Sequence, residues 1–551
     1  MLLTRPVLNA DDATGIALLN CLVREVCVPE HQARRTGRHL VLRLPRVGVV
    51  LRARLRRAPY GPSYPLAAPI EEQRGAEWLA VGWRRLADLT AGELELATGR
   101  ANPEFTEQVI AGHTAMAALI EARGPVRESE VDRFIESEQA LVAGHRFHPA
   151  PKARQGTPAE WLPYAPEARA RFRLRWLAVR ADLVAEEGDP APLELLGPPA
   201  PPGYRTLPVH PWQFSLLAER PVLRAALAGG GVLDLGATGP EAVPTSSVRT
   251  AYLPAADLFC KFSLDVRITN CVRKNAWYEL TGAVALSRML RPVFAELAGA
   301  FDGCALLAEP AYRTVTLADR RLHEGLGVIV RSGVRSHAGS PLLAAALADP
   351  YGCSPASLTR LLAGTPIEDA LAWWDAYVRL VVPPVLHAFL AYGVVLEPHL
   401  QNVLVAVDAT DRPVQAIFRD LEGTKLVAGH DGRWELSDLP PRVRESLTYE
   451  AGQGWNRVVY CLFVNHLAEL AATIADVHPG AEPELWRLAH RRVERYASEH
   501  AQSIRPEGAA RLRALLAGVP LPGKANLRNR WERAADRHAG YVAVPSPFGA
   551  R

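Results

Sequence analysis

Four of the five lysines in this chain fall inside polar motifs, and those motifs are where its chemistry should be sought. Of the 63 basic residues, 58 are arginine, so lysine has been displaced almost everywhere that a positive charge alone suffices. It persists at Lys152 (HPAPKARQG), Lys261 (FCKFSLD), Lys274 (CVRKN) and Lys425 (LEGTKL); only Lys524 (PGKAN) stands outside such a motif. A compact ammonium and a planar guanidinium are not interchangeable at a phosphate or carboxylate. Retained lysines therefore point to anion chemistry.

The segment 244–275 carries the densest set of candidates. Thr245, Ser246, Ser247, Arg249 and Thr250 form a hydroxyl-rich loop with one guanidinium, good donors for phosphate oxygens. Beyond it, Leu258, Cys260, Phe262, Leu264, Val266 and Ile268 alternate with Lys261, Ser263, Asp265, Arg267 and Thr269, the period of a half-buried strand. At about 3.3 Å per residue, Lys261 and Thr269 would lie roughly 26 Å apart on a straight strand. They share a site only if the strand bends or the ligand is long. A strand turning into a short helix near Ile268 would stack Thr269 and Arg273 at i, i+4.

The second constellation lies in 391–423. Gly393 ends a helix that carries Trp373 and Trp374, and two alternating strands, 403–408 and 414–419, flank the turn ATDRP as a hairpin. Its open end should make neighbours of Asn402 and Asp420, with His399 three residues upstream of Asn402. Such a pair is a hard-oxygen site for Mg²⁺ on a nucleotide. Kinases place an Asn and an Asp in this way. Here Leu400 and Gln401 follow His399, so the kinase catalytic Asp is missing.

A third cluster, GHRFHPAPKARQG (144–156), holds His145, His148, Lys152 and Arg154. Pro149 and Pro151 disfavour a helical metal face, and clustered cations for an anionic ligand fit better. LPVHPWQ (207–213) reads as a structural turn with a buried Trp212. There is neither a GxxxxGK[ST] loop nor a Rossmann GxGxxG.

The elements that must position these residues belong to a multidomain chain, since 60.1 kDa exceeds one compact core. Residues 1–140 read as mostly helical with a hairpin at 39–55. A β-rich middle has turn signals at AGGG (228–231) and ATGP (237–240), and long amphipathic helices follow from about 366. Net charge is only +4 and arginine pairs are isolated, which argues against nucleic-acid binding. The opening MLLTRPVLNADD has no signal-peptide pattern, and the longest apolar run, 380–396, falls short of a membrane span. Seven cysteines without a CxxC pair argue for reduced thiols and against a zinc or iron–sulfur site. A cytoplasmic protein that touches no membrane is expected.

GHRFHPAPKARQG, HPWQ, PTSSVRT, the Lys261…Thr269…Arg273 spacing, EPHLQN and RDLEG, in that order over about 140–425, resemble the IucA/IucC family of siderophore synthetases that work independently of nonribosomal peptide synthetases. One departure is Arg146, where the family usually has Pro. The resemblance implies an α+β, cupped-hand fold: a helical thumb (1–140), β-rich antiparallel fingers (141–365) and a mainly helical palm (366–551). It implies ATP and Mg²⁺ as cofactors, a homodimer, and adenylation of a citrate-type carboxylate that is then captured by a polyamine, hydroxylamine or amino alcohol.

By position, the resemblance assigns Ser246, Ser247, Arg249, Thr250 and Lys261, with Glu397 and Gln401, to ATP. Thr269, Arg273, His399 and Lys261 are the catalytic set. His145, His148, Lys152 and Arg154 join Arg273 and His399 at the carboxylate, and Asn402 and Asp420 hold the metal. A kinase-like phosphotransferase is the alternative enzyme, and a binding or ferric-siderophore reductase role the third reading. The reductase would call for clustered cysteines, and none follows Cys461.

Overall fold

The computed structural model describes residues 8–124, 132–269, 271–430, 432–534 and 540–549; the first seven, which bear on the signal-peptide expectation, lie outside these. The first helix, Ala10–Leu22, starts where the Asn9 side chain accepts the Asp12 N–H at 2.8 Å, and Asp11 and Asp12 complement its dipole. It continues as a π-helical turn, Val23–Cys27.

Five antiparallel strands follow in sequence order: β1 (Ala33–Thr36), β2 (His39–Leu44), β3 (Val49–Leu55), β4 (Leu66–Arg74) and β5 (Glu77–Val81). The β2–β3 hairpin is the one expected from alternation, which buries Leu40, Leu42 and Leu44. The rest of the sheet corrects the mostly helical expectation for this region. β1 and β5 are short and bury no residue, so they carry no period-two signal.

The middle of the chain supplies β6 (Phe172–Arg180), β7 (Val184–Gly188), β8 (Tyr204–Val209), β9 (Val232–Pro244), β10 (Thr250–Leu253), β11 (Leu258–Phe262), the hairpin β12 (Leu264–Ile268) and β13 (Cys271–Arg273), β14 (Cys304–Leu306), β15 (Ala311–Val315) and β16 (Val328–Ser332). Eight of these make one antiparallel sheet in the order β7-β15-β16-β11-β10-β9-β6-β8. The ATGP stretch does not end a strand. β9 runs through it, with Gly236 (φ 78°) and Gly239 (φ 81°) in the left-handed region and the register with β6 slipping nearby. The glycines make bulges, not a turn.

Helix Ile367–Tyr392 carries both Trp373 and Trp374 and stops at Gly393 (φ 66°), as the sequence predicts. Behind it stands a four-stranded sheet, β14-β20-β19-β17, built with β17 (Ser340–Leu343), β19 (Val403–Val407) and β20 (Pro413–Phe418). Three short strands, β18 (Val394–Val395), β21 (Lys425–Val427) and β22 (Thr448–Tyr449), make a second small sheet; β23 (Leu521–Lys524) and β24 (Tyr541–Val544) close the chain as a hairpin. The continuous helical segment Ala451–Val477, not 380–396, is long and apolar enough by composition to span a bilayer, yet its apolar window is wholly buried in the fold. It is core.

Three large apolar cores result. One joins residues 18–109 to Leu527 and Trp531 of the last helix; the second lies under the eight-stranded sheet; the third runs from Leu286 to Phe548 around helix Ile367–Tyr392. The C-terminal segment thus returns to pack on the N-terminal one.

Candidate active site

The hydroxyl loop forms because Thr245 closes it twice on the Thr250 carbonyl, from its N–H (2.8 Å) and its Oγ1 (2.9 Å). Val248 is driven to φ 69°, which is uncommon for a β-branched residue and marks a loop held by its surroundings. Ser246 points its N–H and Oγ at Glu138 Oε2 (3.1 and 2.9 Å). Glu138 is buried, and it also takes both ends of the Arg419 guanidinium (2.5 and 3.2 Å). Arg419 in turn donates to the Gln401 carbonyl at 2.8 Å, and the Gln401 amide lies 3.5 Å from Ser246 Oγ. The serine loop and the EPHLQN segment are therefore one structure.

Next to it, β10 pairs Thr250 with Lys261 on β11. Lys261 is 1% exposed and donates to Asp420 Oδ1 (2.5 Å), with Glu422 Oε2 at 2.8 Å. Arg249 bonds Asn275 Oδ1 (2.6 Å) and pairs with Glu422. Arg331 holds Glu309 (2.5 Å) and reaches Asp420 at 3.3 Å. Burial works to raise the Asp420 and Glu422 carboxyls. The neighbouring Lys261 and Arg249 outweigh it, holding Asp420 far below the carboxylate range and Glu422 at about 2. Asp420 sits at φ 74°, a conformation Asp tolerates better than most residues. Gly423 leaves room for the Glu397 carboxylate, itself paired with Arg457 (2.8 Å); a Cβ there would push that carboxylate aside.

The strand does bend. It breaks at Ser263 between β11 and β12, and the expected short helix is instead the β12–β13 hairpin, in which Ile268 faces Cys271. Thr269 (φ 57°) makes the turn, and Arg273 Nη2 still reaches Thr269 Oγ1 at 3.3 Å, across a hairpin rather than along a helix. Arg273 is half-buried and has no carboxylate partner among the described residues. The turn is pinned to the histidine loop: Thr269 N–H donates to the Ala153 carbonyl (2.8 Å), and Gln155 N–H to that of Arg267 (3.0 Å).

Within that loop, Lys152 and Arg154 are both buried and converge on Glu167 Oε1 (2.6 and 2.5 Å). Arg154 keeps Nε and Nη1 buried without a hydrogen bond. His148 Nδ1 accepts the Ala150 N–H (3.1 Å), and His145 Nε2 lies 2.6 Å from the Asn465 amide. Arg146, at the family's proline position, pairs with Glu469 and so ties the loop to helix Ala468–Val477. Burial lowers the pKa of both His145 and His399, so each is neutral at pH 7; Lys524 adds to the effect on both. The fifth lysine, in no motif, therefore lies near enough to both histidines to act on them.

One expectation is off by a residue. In the β19–β20 register Val403 faces Phe418, so Asn402 meets Arg419, whose N–H donates to its carbonyl at 3.1 Å, and not Asp420. The carboxylate that stands with Asp420 is Glu422. For Mg²⁺, which takes one or two carboxylates together with water and phosphate oxygens, Asp420 and Glu422 are a fitting hard-oxygen pair. No cluster of three His, Cys, Asp or Glu ligands occurs among the described residues. Sequence reading also missed Glu138, Glu167, Arg331, Arg419 and Lys524. Arg419 and Glu422 at least sit inside RDLEG; the buried acids acquire meaning only through long-range pairing.

This architecture and site define a known class. The IucA / IucC family model matches residues 133–349, and the model for the ferric iron reductase FhuF-like transporter matches 371–539. An L-2,3-diaminopropanoate–citrate ligase of Staphylococcus aureus is 30% identical over 394 residues, 68% of each chain. The rhizobactin siderophore biosynthesis protein RhbC of Rhizobium meliloti is 29% identical over 564 residues, covering 95% of this chain and 94% of that one. The ATP-bound aerobactin synthetase IucA of Klebsiella pneumoniae superposes with a TM-score of 0.83 at 23% identity, over 98% of this chain and 100% of that one. The chain belongs to the IucA/IucC family, and its α+β fold is that of the family.

Proposed function

We propose that the protein is an ATP-dependent siderophore synthetase of the cytoplasm that adenylates a citrate-type carboxylate and condenses it with an amine or hydroxyl, releasing AMP and pyrophosphate. The observation that carries this reading is the ion-pair cluster of Arg249, Lys261 and Arg331 with Asp420 and Glu422. It stands beside a serine-rich loop and continues to Arg273, a cation with no carboxylate partner among the described residues.

An arriving triphosphate is the natural competitor for those cations. Ser246, Ser247 and Thr250 add hydroxyl donors, while Arg249 and Lys261 exchange their carboxylates for phosphate oxygens. Asp420 and Glu422, so released, are the residues to hold Mg²⁺; Asn402, just before the facing strand of the hairpin, lies one register position from Asp420. Bound there, the ion supplies charge neutralisation between the two anionic reactants. Glu397 and Gln401 border the nucleotide.

The substrate carboxylate is received by the neutral His145 and His399, with Lys152, Arg154 and His148 backing the loop and Lys524 facing it. A carboxylate oxygen then attacks the α-phosphorus, the bond to the β-phosphate bridging oxygen breaks, and pyrophosphate leaves with the electron pair. Arg273, held by Thr269, stabilises the charge gathering on the five-coordinate phosphorus. The amine attacks the acyl carbon, AMP departs, and the amine proton is lost to solvent or a nearby base. No enzyme nucleophile is required.

Relatives named as ligases join citrate to diaminopropanoate in Staphylococcus aureus and to spermidine in Bacillus anthracis, which supports citrate and an amine as the substrate classes here. The test is the nucleotide product after incubation with ATP, Mg²⁺, citrate and a panel of diamines. AMP is expected. ADP as the product would replace this reading by a kinase-like one.

A further inference from the structure

The π-helical turn Val23–Cys27 buries two adjacent charged residues, Arg24 (5% exposed) and Glu25 (0%), far in sequence from every motif above. π-turns often mark functional positions because they force a side chain out of the helical rhythm. Here the turn sends its two charges to two different segments, the histidine loop and the last helix. The Arg24 guanidinium lies 3.1 Å from the ring centroid of Phe147, inside the His145–His148 loop. The Glu25 carboxylate accepts the Leu527 N–H on Oε1 and the Arg528 N–H on Oε2, both at 2.9 Å, at the start of helix Asn526–Trp531. Asn526 closes the triangle by donating from Nδ2 to the Phe147 carbonyl at 2.8 Å. His145 and Lys524 each stand two residues from a corner of this triangle, and the Lys524 charge helps to hold His145 neutral.

We infer that Glu25 is a positioning residue for the substrate carboxylate: by gripping two backbone N–H groups it fixes where Lys524 stands opposite the His145 loop. The inference rests on the proposed carboxylate-binding role of that loop. Glu25 touches no reactant. Its two bonds need both oxygens as acceptors, a demand that a carboxylate meets and an amide does not.

The groups facing Glu25 are Cys21 on the first helix, Arg24 beside it and Arg528 on the last helix. Burial raises its carboxyl to about 7 against the pull of the two N–H bonds and the arginines. The grip is therefore complete in mild alkali and weakens as pH falls below about 7.

The experiment measures acid-dependent ATP–pyrophosphate exchange in the full chain and in Glu25→Gln, at about pH 8 and about pH 6. The KM for the acid is expected to rise about tenfold in Glu25→Gln at the higher pH, which corresponds to about 1.4 kcal/mol. The ratio to wild type should shrink towards one at the lower pH, where wild-type Glu25 is itself protonated. Comparing ratios cancels the titration of the acid, and the KM for ATP should stay within about twofold. A purely structural role would lower the active fraction without this KM split. Asn526→Ala, which cuts another side of the triangle, should raise the acid KM in the same way and stands in if Glu25→Gln does not fold. An acid KM unchanged in the folded variants, or an ATP KM rising in parallel, would overturn the inference. Absence of exchange in the wild type would instead sink the carboxylate reading, and the inference with it.

Discussion

Arg273→Ala should lower acid-dependent adenylation by about 10²- to 10³-fold, the cost of deleting one donor to a developing oxyanion. The variant should nevertheless fold normally. Arg273 is half-buried, makes one long bond to Thr269 Oγ1 (3.3 Å) and balances no buried charge. Among the described residues its removal loses only that bond, so the stability change should stay within about 1 kcal/mol. Arg273→Lys should recover only part of the activity, because an ammonium cannot present the planar fork. The checks are pyrophosphate exchange for activity and the thermal midpoint for folding. Wild-type turnover in Arg273→Ala would remove this residue from the mechanism.

Lys261→Met should do the opposite and cost both function and fold. Methionine replaces the apolar stem of lysine up to Cε, so packing is largely kept, but Asp420 and Glu422 lose the ammonium between them. Breaking a buried ion pair by deleting one partner typically costs about 3–5 kcal/mol; both acids are partly exposed, which favours the lower end. The pH dependence has a definite sign. Both carboxyls are depressed in the folded state, Glu422 to about 2, so their pairing stabilises the protein fully above about pH 4.5 and is lost as pH falls from there through about 2. The deficit of Lys261→Met in thermal midpoint should therefore be largest near neutrality and shrink in acid. A deficit independent of pH would mean that Lys261 contributes through packing alone.

The sequence made parts of this site legible because local chemistry encoded them. The β19–β20 hairpin, the Gly393 stop and the four motif lysines all announce themselves within a few residues. What failed did so for identifiable reasons. The turn at Thr269 was expected as a helix because an i, i+4 spacing and a tight hairpin both bring Thr269 near Arg273, and spacing alone does not separate them. Asn402 lies opposite Arg419, one position from Asp420, because a hairpin fixes its register to the residue, while alternation alone leaves the register open by one position. Glu138, Glu167 and Glu25 were invisible because an isolated acid carries no signal until the fold supplies its partner. Glu25 and Leu527 are 502 residues apart. Lys524 had signal in its rarity alone, and no motif confirmed it.

Acid-dependent ATP–pyrophosphate exchange, run with Mg²⁺ across citrate, a citrate monoamide, succinate and 2-oxoglutarate, tests the central claim most directly. The account predicts exchange with a citrate-type acid before any amine is added, because adenylation precedes capture and needs only the cations and carboxylates already gathered in the cleft. No exchange with any of these acids, together with ADP as the nucleotide product once amines are present, would contradict it.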